Sequence, residues 1–566
     1  MKYLILIFIT NLLFSQTTPF EKNKNYSATY EETISFYNEL ASKYNEISIE
    51  PYGSTDAGLP LHLVMYSSDG NFDRKHIDSL NRLKVFIING IHAGEPCGVD
   101  ASMLLFKDLV LNQELNKNAE NVFIALIPIY NVGGALLRNS YTRANQVGPE
   151  AYGFRGNAKN YNLNRDFVKM DTKNTESFIK LFHNIDPDIF VDTHTSDGSD
   201  YQHVMTFLPT QYNRLGKLGE YMRKDFDPKV YKRMDEKGFP MTPYVTTAQA
   251  IPDSGIIGFV DPPRFSVGYT SLFNSLSYTT EAHMLKSFEE RVLSTKAILE
   301  AFIEVGAQNK DEIKSQREKN FNVFTNKYPE QWDLDQSRYD EIDFMGYEAY
   351  QAPSALTDQT RWFYNTDKPY TKKIKYFNHY KAKDSVDIPE KVVIPKVQDE
   401  ILIRLYRSGV NFKVFEKDTV LVVKKIKILD QENINRAYEG HYIHTSVNYE
   451  FEVDEIIARK GDYYFETNQR SKRYIMETLV PDMPDSFFRW NFFDRHLRQL
   501  EYYSSYIFEK KAVEFLKNHP EIKVEFEKKM SNEEFAKDPR AQLNFIYAIS
   551  PHMEPSYMTL PYYFWD

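Results

Sequence analysis

Three short apolar runs constrain this chain more than any other feature of its 566 residues. They are residues 84–89 (KVFIIN), 121–129 (NVFIALIPI) and 188–192 (DIFVD). Runs of this length, rich in β-branched residues and lacking polar alternation, read as strands buried on both faces. Segments with helical spacing separate them, at 100–111 and 175–183. The same reading predicts an amphipathic helix over 29–44, a strand over 61–66, a helix over 212–223, a strand over 277–280 and a long helix over 288–302. Buried strands alternating with helices predict an α/β fold: a mixed, largely parallel central sheet flanked by helices. In such sheets ligands bind beyond the carboxyl ends of the strands. His92 follows the first run, His194 follows the third, and Glu281 ends the strand at 277–280.

Past residue 310 the character changes. Residues 310–319 read as a charged, solvated helix. Residues 340–395 hold prolines and aromatics with no clean period. From residue 400 the alternation predicts short strands at 402–406, 412–415, 419–423, 442–446 and 450–453, and 487–503 reads as an aromatic helix. The expected organisation is a catalytic domain over 16–310, a connecting region over 311–395 and a C-terminal β-rich domain over 396–566. At the other end, Met1-Lys2 precedes an apolar run from Tyr3 to Phe14 and a small polar stretch. That pattern predicts a signal peptide over 1–15 and a secreted or periplasmic protein. No later run reaches ~18 apolar residues, so no stable membrane span is expected after cleavage.

Charge and cysteine content narrow the chemistry. The net charge is −10 and there is no long basic run, which argues against nucleic acid as a partner. Cys97 is the only cysteine, so any metal must be held by histidines and carboxylates. His92 and Glu95 are three apart, a spacing that points two ligand groups the same way from a tight turn or helix start. Catalytic zinc needs three protein ligands and one open position. His194, after DIFVD, is the natural third; His183, His203 and His283 are its rivals.

The ordered set His92-Ala93-Gly94-Glu95, Arg155, Asn157 to Phe167 (NAKNYNLNRDF), Asp192-Thr193-His194-Thr195 and Tyr278-Thr279-Thr280-Glu281 resembles the zinc metallocarboxypeptidase family typified by carboxypeptidase A. The likeness spans about residues 30 to 305. It implies one Zn2+ per chain on His92, Glu95 and His194. It implies that Arg155 polarises the scissile carbonyl, that Asn164 and Arg165 clamp a terminal carboxylate, and that Glu281 is the general base and acid. Such residue types suit the task, since zinc lowers the pKa of its water and a guanidinium can hold a carboxylate with two hydrogen bonds. Two departures stand out. Asn162 occupies a position where the family usually has aspartate, and Phe259 lies where the family's mobile tyrosine is usually found, leaving Tyr269 as the nearest candidate for a substrate-closing tyrosine. The expected function is removal of a C-terminal residue from a peptide or a peptidoglycan stem. A zinc deacylase acting on N-acyl amino acids and a catalytically inactive binding protein on the same fold are the alternatives.

Overall fold

The computed structural model describes residues 17–566, so the expected signal peptide over 1–15 lies outside the described residues. The chain forms two compact units. One comprises residues up to 388 together with 404–410 and 469–477; the other comprises 389–403, 411–468 and 478–566.

The first unit is built on an eight-stranded sheet. Its strands are β1 (Ile47–Tyr52), β2 (Leu61–Ser67), β3 (Leu83–Asn89), β4 (Val122–Ile127), β5 (Ile189–Thr195), β6 (Met205–Pro209), β7 (Thr242–Pro243) and β8 (Leu276–Ala282). Their spatial order is β1-β2-β4-β3-β5-β8-β6-β7. The central run β4-β3-β5-β8 is parallel, whereas β1-β2, β2-β4 and β8-β6 pair antiparallel. This is the mixed, largely parallel sheet expected. Every residue of β3, β4 and β5 is buried, which is why their sequences carry no alternation. Helices cover the sheet, among them Tyr30–Lys43, Cys97–Leu111, Lys173–Ile185 and Phe288–Gln308. Reciprocal side-chain caps start the first and last of these, Thr29 with Glu32 and Ser287 with Glu290. The predicted helix over 212–223 is broken instead. Gly216, at φ +59°, ends a 3-10 turn at Tyr212–Leu215 before a short helix at Lys217–Tyr221 resumes.

Residues beyond 310 in this unit are mostly strand. Asp340–Pro353 pairs antiparallel with Thr360–Phe377, and Lys327–Leu334 pairs with Tyr380–Asp387. Only the root of the longer ribbon is packed, where Phe344 and Ile374 join Tyr201, Val245 and Ile256 in a small core. Ile342, Tyr370 and Tyr376 pack partly against that core and the other residues are mostly exposed or half-buried, so no face was marked by a run of apolar residues.

The second unit carries a six-stranded sheet that includes the long hairpin Thr419–Asn433 with His444–Ala458. The short strands expected at 419–423, 442–446 and 450–453 are therefore parts of two long ones. Four helices, from Ser505–Asn518 to Pro539–Ile549, form a cluster around Phe508, Ala512, Ile546 and Tyr547. Two expectations are corrected. Residues 402–406 lie within a helix, Asp399–Arg407, whose Ile401 and Leu405 are buried four residues apart while Ile403 and Tyr406 face solvent. Residues 487–503 are not a helix but a compact irregular segment with one 3-10 turn, Asp494–His496; its aromatic side chains Phe487, Phe488, Trp490 and Phe493 are all buried, so no single helical stripe exists. Among the described residues no helix is long and apolar enough to cross a membrane.

Candidate active site

The site lies where the sheet's parallel strands end. β3 ends at Asn89, and Gly90 turns the chain at φ +61° into a loop holding His92 and Glu95. The Glu95 amide donates to the His92 carbonyl at 2.9 Å, closing a turn that sets both side chains on one side. His194 sits on β5 directly across from Glu281 on β8, because the two strands run parallel with those residues in register. Strand order alone thus places a loop and two strand ends around one point.

There the three expected ligands meet. Glu95 Oε1 is 3.2 Å from His92 Nδ1, and Glu95 Oε2 is 3.0 Å from His194 Nδ1. One ligand atom from each residue lies within 4.8 Å of the others, and all three residues are buried. His92 Nδ1 is buried without a hydrogen-bond partner. Its opposite nitrogen, Nε2, is 3.1 Å from Asn162 Oδ1, which fixes the ring and turns Nδ1 inward. A buried nitrogen aimed at a carboxylate and a second imidazole is a donor set that fits zinc. The rival histidines are elsewhere: His183 Nε2 is 3.0 Å from Tyr269 Oη, His203 Nδ1 is 2.9 Å from the Pro240 carbonyl, and His283 Nε2 is 3.0 Å from Asp200.

The electrostatics follow from burial and neighbours. Burial drives the His92 pKa down to about 4, keeping the imidazole neutral as a metal ligand requires. Burial opposes charge on His194 too, but Asp192 Oδ2, 3.0 Å from Nε2, and Glu95 hold its pKa well above the ordinary value. For Glu95 burial pushes upward, yet His92 and Arg143 outweigh it and keep the carboxylate ionised. Burial raises Glu281 to about 8, and its Oε2 has no hydrogen-bond partner.

One cleft of about 390 Å³ joins these groups with Arg155, Asn164 and Arg165. Arg155 Nη1 is 3.3 Å from Glu95 Oε1. Asn164 and Arg165 share a 3-10 turn, Leu163–Arg165, that is pinned by the Ser266 amide donating to Asn164 Oδ1 at 2.9 Å. The Arg165 guanidinium lies 4.0 Å from the centre of the Phe265 ring. Tyr269 does not reach the cleft: it is fully buried, and its hydroxyl donates to Ser408 Oγ at 3.0 Å. It belongs to an aromatic cluster with Phe182 and Phe273.

Residues 33–200 match the family model described as zinc carboxypeptidase. Over that span the chain is similar to zinc carboxypeptidases. Zinc is that family's metal, and the match includes His92, Glu95 and His194 while ending before Glu281. The curated relatives agree: carboxypeptidase 2 of Trichophyton equinum is 23% identical over 427 residues, covering 72% of this chain and 74% of that one. Carboxypeptidase 2 of Trichophyton rubrum is 22% identical over the same length. Among solved structures, a metallo-carboxypeptidase from Burkholderia cenocepacia is 17% identical, covers 49% of this chain and 69% of that one, and has a TM-score of 0.38.

Three residues of the carboxypeptidase cleft escaped the sequence reading. Arg143 Nη1 donates to Glu95 Oε1 at 2.8 Å, but a lone arginine in a loop gives no signal of its own. Tyr244 lines the cleft with its hydroxyl 3.4 Å from Asp197 Oδ1, and Phe259 lines it with its ring edge-on to Phe265. Asp261 lines it with a buried carboxyl. The Asp-Pro-Pro run following Phe259 was the only hint of an irregular, cleft-lining turn there.

Proposed function

We propose that this chain is an exported zinc carboxypeptidase that removes one residue from the free C-terminus of a peptide, a peptidoglycan stem being one such substrate. The observation that carries the reading is the convergence of His92, Glu95, His194, Glu281, Arg155, Asn164 and Arg165 on one cleft. His92 Nδ1, Glu95 and His194 Nδ1 would hold the metal. Zinc bound there lowers the pKa of its water towards ~7 and draws electrons from the scissile carbonyl.

The remaining work falls to side chains. Asn164 and Arg165 hold the terminal carboxylate, Arg165 through two parallel hydrogen bonds that a lysine cannot reproduce. This sets the register, so that only the last peptide bond reaches the reacting centre. Arg155 opposes charge as it develops on the carbonyl oxygen. Glu281 takes a proton from the attacking water at its unpartnered Oε2 and then delivers it to the departing amine. Asn162 and Asp192 hold the two imidazoles in place. In this reading residues 16–310 perform the chemistry, the ribbons between 311 and 388 extend the same unit, and 396–566, apart from 404–410 and 469–477, form a separate β-rich domain.

The test is hydrolysis of paired peptides that differ only in a free or amidated C-terminus. The free form should be trimmed by single residues and the amidated form should be resistant. Equal cutting of both would remove the exopeptidase reading.

A further inference from the structure

The turn that carries Asn164 and Arg165 is held from behind by residues far along the chain. It runs straight into residues 166–172, and that stretch is sharply bent. Met170 adopts φ +50°, a backbone conformation that a residue bearing a side chain keeps only where its surroundings impose it. A buried charge network imposes it here. One oxygen of Asp166 accepts from Lys169 Nζ at 2.8 Å and from the Asp171 amide at 3.0 Å. The other accepts from the Thr172 amide at 3.1 Å and the Thr172 hydroxyl at 2.6 Å. Lys169 Nζ also donates to Asp171 Oδ2 at 2.7 Å. Burial opposes the Lys169 charge, yet Asp166 and Asp171 outweigh it and hold its pKa above the ordinary value.

Arg404 completes the set. Residues 404–410 belong to the same compact unit as the cleft. Arg404 Nε donates to the Lys169 carbonyl at 2.7 Å, immediately before Met170, and its Nη2 is 3.5 Å from Asp171 Oδ1. Two carboxylates, one ammonium and one guanidinium then balance, as a buried network requires. Further along the same segment, Ser408 Oγ accepts from Tyr269 Oη at 3.0 Å. Tyr269 lies on the helix Ser266–Ser271, whose Ser266 amide holds Asn164 Oδ1. One segment thus grips both pieces that meet at Asn164 and Arg165.

From these contacts we infer that Arg404 and Ser408 are positioning residues of the carboxylate clamp: they fix the 166–172 turn and the helix Ser266–Ser271, and so set where Asn164 and Arg165 meet a peptide's terminal carboxylate. This gives residues beyond 310 a part in substrate binding, and it rests on the exopeptidase reading.

The experiment measures kcat and KM of the zinc-loaded full chain on a peptide with a free C-terminus. Arg404→Ala should raise KM about 10–100-fold, the scale of effect of a small misplacement of a binding group, while kcat stays within about threefold and zinc content matches the parent. Arg404→Lys keeps the charge and a donor for the Lys169 carbonyl, and should bring KM back to within about threefold of the parent. Arg407→Ala removes the 2.7 Å ion pair with Glu176 in the same segment and should leave KM at the parent's value. Ser408→Ala should raise KM about fivefold, the worth of one hydrogen bond, and it decides the matter if Arg404→Ala does not keep its zinc. A zinc-loaded Arg404→Ala with the parent's KM, a loss confined to kcat, or an unchanged KM in Ser408→Ala overturns the assignment. Failure of the exopeptidase reading is seen separately in the parent, as amidated peptides cut as fast as free ones.

Discussion

The strand ends of β3, β5 and β8 and the ribbon formed by 340–353 and 360–377 are both β-structure, yet they were written in different ways. The sheet strands are buried on both faces and read as unbroken apolar runs. The ribbon is exposed for most of its length, with Leu356 at its tip 91% exposed, and it carries mixed polar and aromatic residues without a period. A two-stranded ribbon has too little surface to bury to be stable alone and depends on its root. The lesson is that apolar patterning records what a strand packs against, not that it is a strand.

This contrast predicts a descending series of effects. At the sheet's strand ends the losses should be catalytic and largest. Glu281→Gln should lower kcat by at least about 10²–10⁴-fold, the usual worth of a positioned acid–base group, while zinc content stays at the parent's level. Near-normal turnover would move the base to another residue. Within the sheet the losses should be of stability. Ile87→Ala, at a fully buried position of β3, should cost about 2–5 kcal/mol in denaturant unfolding. A cost below about 1 kcal/mol would mean that the sheet tolerates a void there.

A smaller effect depends on pH. Asp227 is 2% exposed beneath β8, and burial pushes its pKa up to about 7 although Tyr212 and Tyr278 donate hydroxyls to it at 2.7 and 2.8 Å. Its folded pKa thus exceeds the unfolded value of about 3.9, so the folded chain binds the extra proton between those limits. Its contribution is full below pH ~4 and is lost as pH rises through 7. Asp227→Asn should therefore flatten the fall in stability across that window, by on the order of 1–3 kcal/mol. Parallel curves for the two proteins would show that Asp227 does not carry this dependence. The smallest effect belongs to the ribbon: Trp362→Ala, 39% exposed, should change stability by no more than about 0.5 kcal/mol.

The same physics explains what could be read in advance. His92, Glu95 and His194 were legible because each followed a buried run, and a parallel sheet brings such strand ends together. Asn164, Arg165 and Arg155 were legible only through the family's residue order. Arg143 and Asp261 were not: Arg143 reaches Glu95, distant in sequence, and neither stands in a run with any period. Tyr269 was misplaced for another reason: it was only the tyrosine nearest to the position that Phe259 holds, and the helix Ser266–Ser271 turns its ring into the core beside Phe182 and Phe273. The alternation at 402–406 was coincidental, since Ile401 and Leu405 are the buried pair.

The account depends on three side chains sharing one ion, and zinc analysis of reconstituted protein tests that directly. The parent should retain about one zinc per chain after dialysis, and His194→Ala should lose it while keeping the parent's far-ultraviolet circular dichroism. A parent without zinc, or a His194→Ala variant that holds it as tightly, would contradict the account.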